Sequence, residues 1–231
     1  MLGMTGRKKP AQSTRRTQQA RTQRRVVYRT AYQAAKFSTI AHHEAGHAVF
    51  CLLMDLPFVR VEIFPDRHPT PPDGTVLGNV ISDRGWPLWA CPGTAEYKPR
   101  QAREYFKRDV CMTLAGPLAE TLHTRCWKEL PMNEGDDDFV AYELASELYP
   151  QRGTRFNWLN TLRFQTLEML HHPLVWQSVE AVADAIFRFR TLTCGQVQQL
   201  VRQTCQQNGC SFTELQAKAR RAQRAASFLV V

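Results

Sequence analysis

Two histidines four residues apart, His43 and His47, with Glu44 beside the first, constrain this chain more than any other feature of its sequence. On an α-helix, positions i and i+4 lie on one face, one turn apart, so a helix can present both imidazoles to a single metal ion. Glu44 lies one step round the helix, beside that face. Its carboxylate can reach a water on an open coordination position and act as general base. Ser38 or Thr39 can cap such a helix, which the pattern predicts to run to about Met54. His42 points elsewhere on the helix and is not read as a ligand. Cys51, four residues beyond His47 on its face, reads as core packing.

The charge of the chain is segregated. Ten of its thirty Lys and Arg residues lie between Arg7 and Lys36, and the first acidic residue is Glu44. From there on, twenty basic residues meet twenty-one acidic ones, so the net charge of +9 belongs to the N-terminal segment. Residues 1–30 carry few large apolar side chains and cannot offset their ordering entropy, so a disordered basic tail is expected there. Its composition suits a nucleic-acid arm, contact with an acidic partner, or an organellar transit peptide. Residues 31–231 are long enough for one domain with a core. Seven cysteines without a C-x-x-C pair read as reduced thiols of a cytoplasmic protein. The longest apolar stretch, 48–59, is interrupted by Asp55 and Pro57, too short for a membrane span.

After the histidine helix, residues 58–64 alternate, with Val59, Val61 and Ile63 on one face, and residues 75–82 form a second strand. A hairpin with a long proline-rich loop is the expected arrangement. Residues 83–98 read as irregular. From Pro99 onward the sequence is helical. Pro99 suits the first position of a helix reaching about Arg125, with Phe106, Val110, Leu114 and Leu118 on one face and Pro117 predicting a kink or restart. A further helix starts at Asp136-Asp137-Asp138, whose carboxylates suit the positive end of its dipole. Two longer helices over 155–171 and 174–190 follow. Capping-box spacing at Thr193…Gln196 and Ser211…Glu214 predicts two more. The fold class is mostly α (α+β) with a small hairpin. His68, His171 and His172 read as solvated; Trp86 and Trp89 suit either a substrate groove or their own loop.

The segment from Thr39 to Val49, containing His43-Glu44-Ala45-Gly46-His47, resembles the active-site helix of the FtsH-type zinc metallopeptidases. The likeness continues through Val61-Glu62-Ile63-Phe64-Pro65 with Leu77-Gly78, and through Leu114-Ala115-Gly116-Pro117-Leu118-Ala119-Glu120. It extends to Gly135-Asp136-Asp137-Asp138-Phe139 and to the closing stretch from Val182 to Val197. Their shared order along residues 39–201 carries the resemblance. Pro117 stands where the family pattern has arginine, and the distance from His47 to Asp138 is longer than the pattern's.

The resemblance implies a helical, zincin-like peptidase domain that holds Zn2+ through His43, His47 and Asp138, with Glu44 as base and a polypeptide as substrate. Two neutral imidazoles and one carboxylate leave a zinc site at +1, which keeps a bound water near pKa ~7. Asp136 and Asp137 then read as caps or supporting groups. The three aspartates equally suit capping alone, in which case Glu120 is the substitute ligand; otherwise Glu120 supports the site from behind the ligands. The family's ATPase module has no counterpart here, since no G-x-x-x-x-G-K-[ST] loop occurs. Activity on folded substrates would then need a separate ATPase or self-assembly. Two other readings compete with the peptidase: a catalytically inactive zinc-stabilised scaffold, and a nucleic-acid- or partner-binding protein led by residues 1–30.

Overall fold

A computed structural model describes residues 36–64, 78–81, 90, 94–126 and 136–225. The chain divides into two units, Met1–Phe37 and Ser38–Val231, and the architecture below is that of the second. The expected basic tail, the loop 65–77 with His68, most of the irregular stretch with Trp86 and Trp89, and residues 127–135 lie outside the described residues.

Helix α1 (residues 36–54) is the centre of the unit. From Ala45 to Met54 every residue is buried, and a helix that is apolar all round must be enclosed by its neighbours. The helix is already under way before Ser38 and Thr39, which therefore lie inside it and do not cap it. It ends at Asp55, whose φ of 59° starts a left-handed turn. The Leu56 amide donates back to the Cys51 carbonyl at 2.8 Å, as a Schellman motif requires. Two further α1 carbonyls are satisfied from outside: Arg108 donates to Met54 at 3.0 Å, and Gln216 to Leu52 at 2.7 Å.

Strands β1 (Arg60–Ile63) and β2 (Gly78–Ile81) pair antiparallel as expected, with Ile63 opposite Gly78. Val61 and Ile63 face the core, while Val59, just before the strand, is exposed. A third strand that the sequence did not suggest, β3 (Thr191–Thr193), pairs antiparallel with the other edge of β1. Among the described residues the sheet order is β2-β1-β3, with β2 at an edge.

The remaining helices are α2 (Pro99–Thr124), α3 (Asp137–Leu148), α4 (Arg152–Leu170), α5 (Pro173–Phe189), α6 (Cys194–Gln207) and α7 (Phe212–Ala225). α2 packs against α3 and α4, α5 against α6, and α7 against α4 and α6. Pro117 neither stops nor restarts α2. It removes one backbone donor, and Val110, Leu114 and Leu118 on both sides of it are buried in the core. Both predicted capping boxes form: Thr193 with Gln196, and Ser211 with Glu214. The result is a mostly helical fold with a small antiparallel sheet. Among the described residues no helix is long and apolar enough to cross a membrane.

Candidate metal centre

α1 and α2 cross at small residues. A Cβ on Gly46 would lie 2.6 Å from the Ala115 carbonyl oxygen and 2.8 Å from the Ala119 Cβ, so the two backbones approach as only glycine permits. One residue further on, a Cβ on Gly116 would fall onto the imidazole of His47. The Ala115-Gly116 step of α2 is thus the surface against which the His47 ring is set.

Three electron-pair donors converge beside this crossing. His43 Nε2 lies 2.8 Å from Asp137 Oδ2, His47 Nε2 lies 3.3 Å from the same oxygen, and the two Nε2 atoms are 3.1 Å apart. Ligands bound tetrahedrally at about 2.0–2.1 Å stand roughly 3.3 Å from one another. The triangle is therefore close to one face of such a tetrahedron, and His43, His47 and Asp137 could hold a metal ion.

The outward nitrogens of both rings are held. His47 Nδ1 donates to the Met112 carbonyl at 2.9 Å, and His43 Nδ1 faces Glu120 Oε2 at 3.2 Å. With a proton on each Nδ1, both Nε2 atoms turn toward the centre, the tautomer that a ligating histidine needs. Without a metal, a proton serves instead. Burial works against protonation of His43, yet its hydrogen bonds to Asp137 and Glu120, with the charge of Glu44, push its pKa up to about 10. Burial likewise opposes ionisation of Asp137, but the neighbouring His47 and His43 hold its carboxyl well below the usual range. The centre is built to contain a positive charge.

Glu44 is 6% exposed, and its carboxyl group is pressed against β2: a Cβ on Gly78 would lie 2.6 Å from Glu44 Oε1. Burial raises its pKa, partly countered by His43 and His47. Among the described residues no hydrogen-bond donor is paired with it. It borders the donor triad without closing it.

Of the candidate ligands read from the sequence, the structure brings His43 and His47 together but not Asp138. Asp138 does not join the histidines; its Oδ1 accepts from Arg163 of α4 at 2.6 Å, and Asp137 takes the inward position. Successive helix positions diverge by about 100°, so the first turn of α3 can aim only one of the two at the α1 histidines. The residue that the structure sets beside the histidines belongs to the same turn as Asp138. The phase of that turn depends on how α3 leans on α2 and α4, which an acidic triplet does not encode. Glu120 stands behind His43 and outside the triad. His42 stacks on His123 at 3.6 Å and bonds through Nδ1 to the Ser38 carbonyl, away from the centre. Cys51 is buried in the core, which pushes its thiol pKa up. His171 is exposed as expected, whereas His172 is half-buried and accepts from Lys218 at 2.8 Å.

Comparison with models of known protein families gives no match, and comparison with curated proteins gives none either.

Proposed function

We propose that the chain is a zinc-dependent metallopeptidase of the FtsH type that hydrolyses polypeptides. The observation that carries this reading is Glu44. Glu44 is buried, its pKa raised by that burial, and carboxyl groups perturbed in this way concentrate where catalysis needs them. Here it borders three converging donors whose chemistry, two imidazoles and one carboxylate, suits zinc with an open position. An inactive zinc scaffold would need the triad but not Glu44.

A bound zinc ion would supply a Lewis acid for the scissile carbonyl and would lower the pKa of a water. Asp137, His43 and His47 would hold the ion, Glu120 and the Met112 carbonyl would keep the two rings in register, and Gly116 leaves room for the His47 ring. Glu44 takes the proton of the attacking water and delivers it to the departing amine nitrogen; its raised pKa makes it the stronger base for the first of these steps. Gly78 brings the edge strand β2 against Glu44. An extended substrate that adds to β2 as a further strand would pass beside that base. The zincin-like, FtsH-type assignment rests on the order of motifs along residues 39–201 and is part of this proposal. Acidic or nucleic-acid partners for residues 1–30 remain a separate proposal, since that segment lies outside the described residues.

The test is metal analysis of the purified protein together with peptidase assays on an unstructured peptide library. The expected result is one zinc per chain, lost in His43→Ala, and cleavage without ATP that falls by orders of magnitude in Glu44→Gln while zinc is retained. Zinc retention with no cleavage by the wild type would favour the scaffold. Full turnover in Glu44→Gln would remove the base.

A further inference from the structure

A groove of about 630 Å3 opens between α4, α5 and α7 and shares no lining residue with the metal centre. That volume falls within the roughly 300–1,000 Å3 typical of pockets that enclose small molecules. Its walls are mainly apolar, with Val175, Leu215 and Ala219 inside and Phe164, 64% exposed, at the rim. Buried polar groups in a folded protein are normally paired, yet this lining contains several that are not. Gln165 has both amide atoms buried without a partner, and so has the Nδ1 of His172. The Nε2 of His172 accepts from the Lys218 ammonium, so Nδ1 carries the ring proton and is a donor without an acceptor. Lys218 has no carboxylate within ion-pair distance among the described residues. His172 also precedes Pro173 at the start of α5, whose first turn has neither a side-chain cap nor an acidic residue. Lys218 therefore adds an exposed positive charge to the wall of an apolar groove.

We propose that this groove binds a straight-chain fatty acid, its alkyl chain between α4, α5 and α7 and its carboxylate against the exposed Lys218 ammonium. The one acidic side chain of the lining, Glu168, is exposed and opposes the anion weakly through solvent. The site is independent of the peptidase reading and stands whether or not zinc is present.

Isothermal titration calorimetry on the full chain, with dodecanoate, decanoate and dodecan-1-ol as probes, tests it. Dodecanoate should bind once per chain. Decanoate should bind about tenfold more weakly or worse, because each buried methylene is worth roughly a fourfold change in affinity. Lys218→Met, an exposed position that should not disturb folding, should weaken dodecanoate about tenfold and leave dodecan-1-ol unchanged. Glu168→Gln should tighten dodecanoate severalfold, and Ala222→Trp, which fills the mouth, should abolish binding with an unaltered circular dichroism spectrum. Absence of saturable dodecanoate binding, equal affinity for acid and alcohol, indifference to Lys218→Met, or tighter binding of an apolar peptide than of dodecanoate would each overturn the proposal.

Discussion

Asp138 accepts a hydrogen bond from Arg163 at 2.6 Å while its neighbour Asp137 lies 2.8 Å from His43. One turn of α3 thus does two different things. Asp138 fastens the start of the helix to α4, and Asp137, fixed by that attachment, reaches the histidines of α1. Burial raises the pKa of Asp138, an effect that Arg163 partly offsets.

Exchanging the two aspartates for asparagine should therefore separate metal binding from stability. Asp137→Asn is expected to lose zinc to a mild chelator. Asp138→Asn should keep a zinc site but lower the stability by about 1–2 kcal/mol, less than for a fully buried pair because Arg163 is partly exposed. Chelator titration and urea unfolding of both variants check this. Zinc retained by Asp137→Asn and lost by folded Asp138→Asn would return the ligand role to Asp138.

The two glycines that touch the site should fail differently. Gly116→Ala would place a methyl group on the His47 ring, so metal content should fall even where the helix content is unchanged. Gly78→Ala would push against the Glu44 carboxyl group instead. It should retain zinc while kcat falls, by about tenfold or more, because a displaced base loses its alignment with the water. Metal analysis alongside steady-state kinetics distinguishes the two.

Much of this arrangement is legible in the sequence. The helical phase of His43 and His47, the strand pair, the face of α2 and both capping boxes follow from periodicity and local hydrogen-bond chemistry, which a linear sequence contains. What it does not contain is the relation between elements. β3 has only three residues, too few for alternation to register, and it exists because β1 offers a second edge. Asp137 and Asp138 have the same local preference for the start of α3, and only the placement of Arg163 and of α1 tells them apart. Gly78 and Gly116 looked like family motif residues; their necessity appears when the side chains they make room for, Glu44 and His47, are seen against them.

Glu120 offers a test of how far support behind the ligands matters. It faces the Nδ1 of His43 at 3.2 Å and so fixes the ring that must ligate through Nε2. Glu120→Gln should preserve folding and lower zinc affinity roughly 10–100-fold. Competition with a chromogenic chelator measures it. Complete loss of zinc together with a normal fold would mean that Glu120 ligates directly.

The pKa of His43 predicts how the metal-free protein responds to pH. Folding raises that pKa to about 10 from an ordinary value near 6.5, so in the metal-free state the protonated ring stabilises the fold. The sign follows from the direction of the shift: the contribution is complete below about pH 6.5 and disappears as pH rises through about 10. Asp137 is shifted the opposite way, so its contribution is complete above its ordinary carboxylate range and fades as pH falls through and below it. Chelated protein should therefore melt at a lower temperature at pH 10.5 than at pH 8. Zinc-loaded protein should lack this alkaline step, because the metal then takes the place of the proton. Binding at pH 7.5 should consequently release about one proton per zinc, which calorimetry in buffers of different ionisation enthalpy reads directly. Proton release near zero, or an alkaline melting step of equal size with zinc bound, would show that His43 does not exchange its proton for the metal.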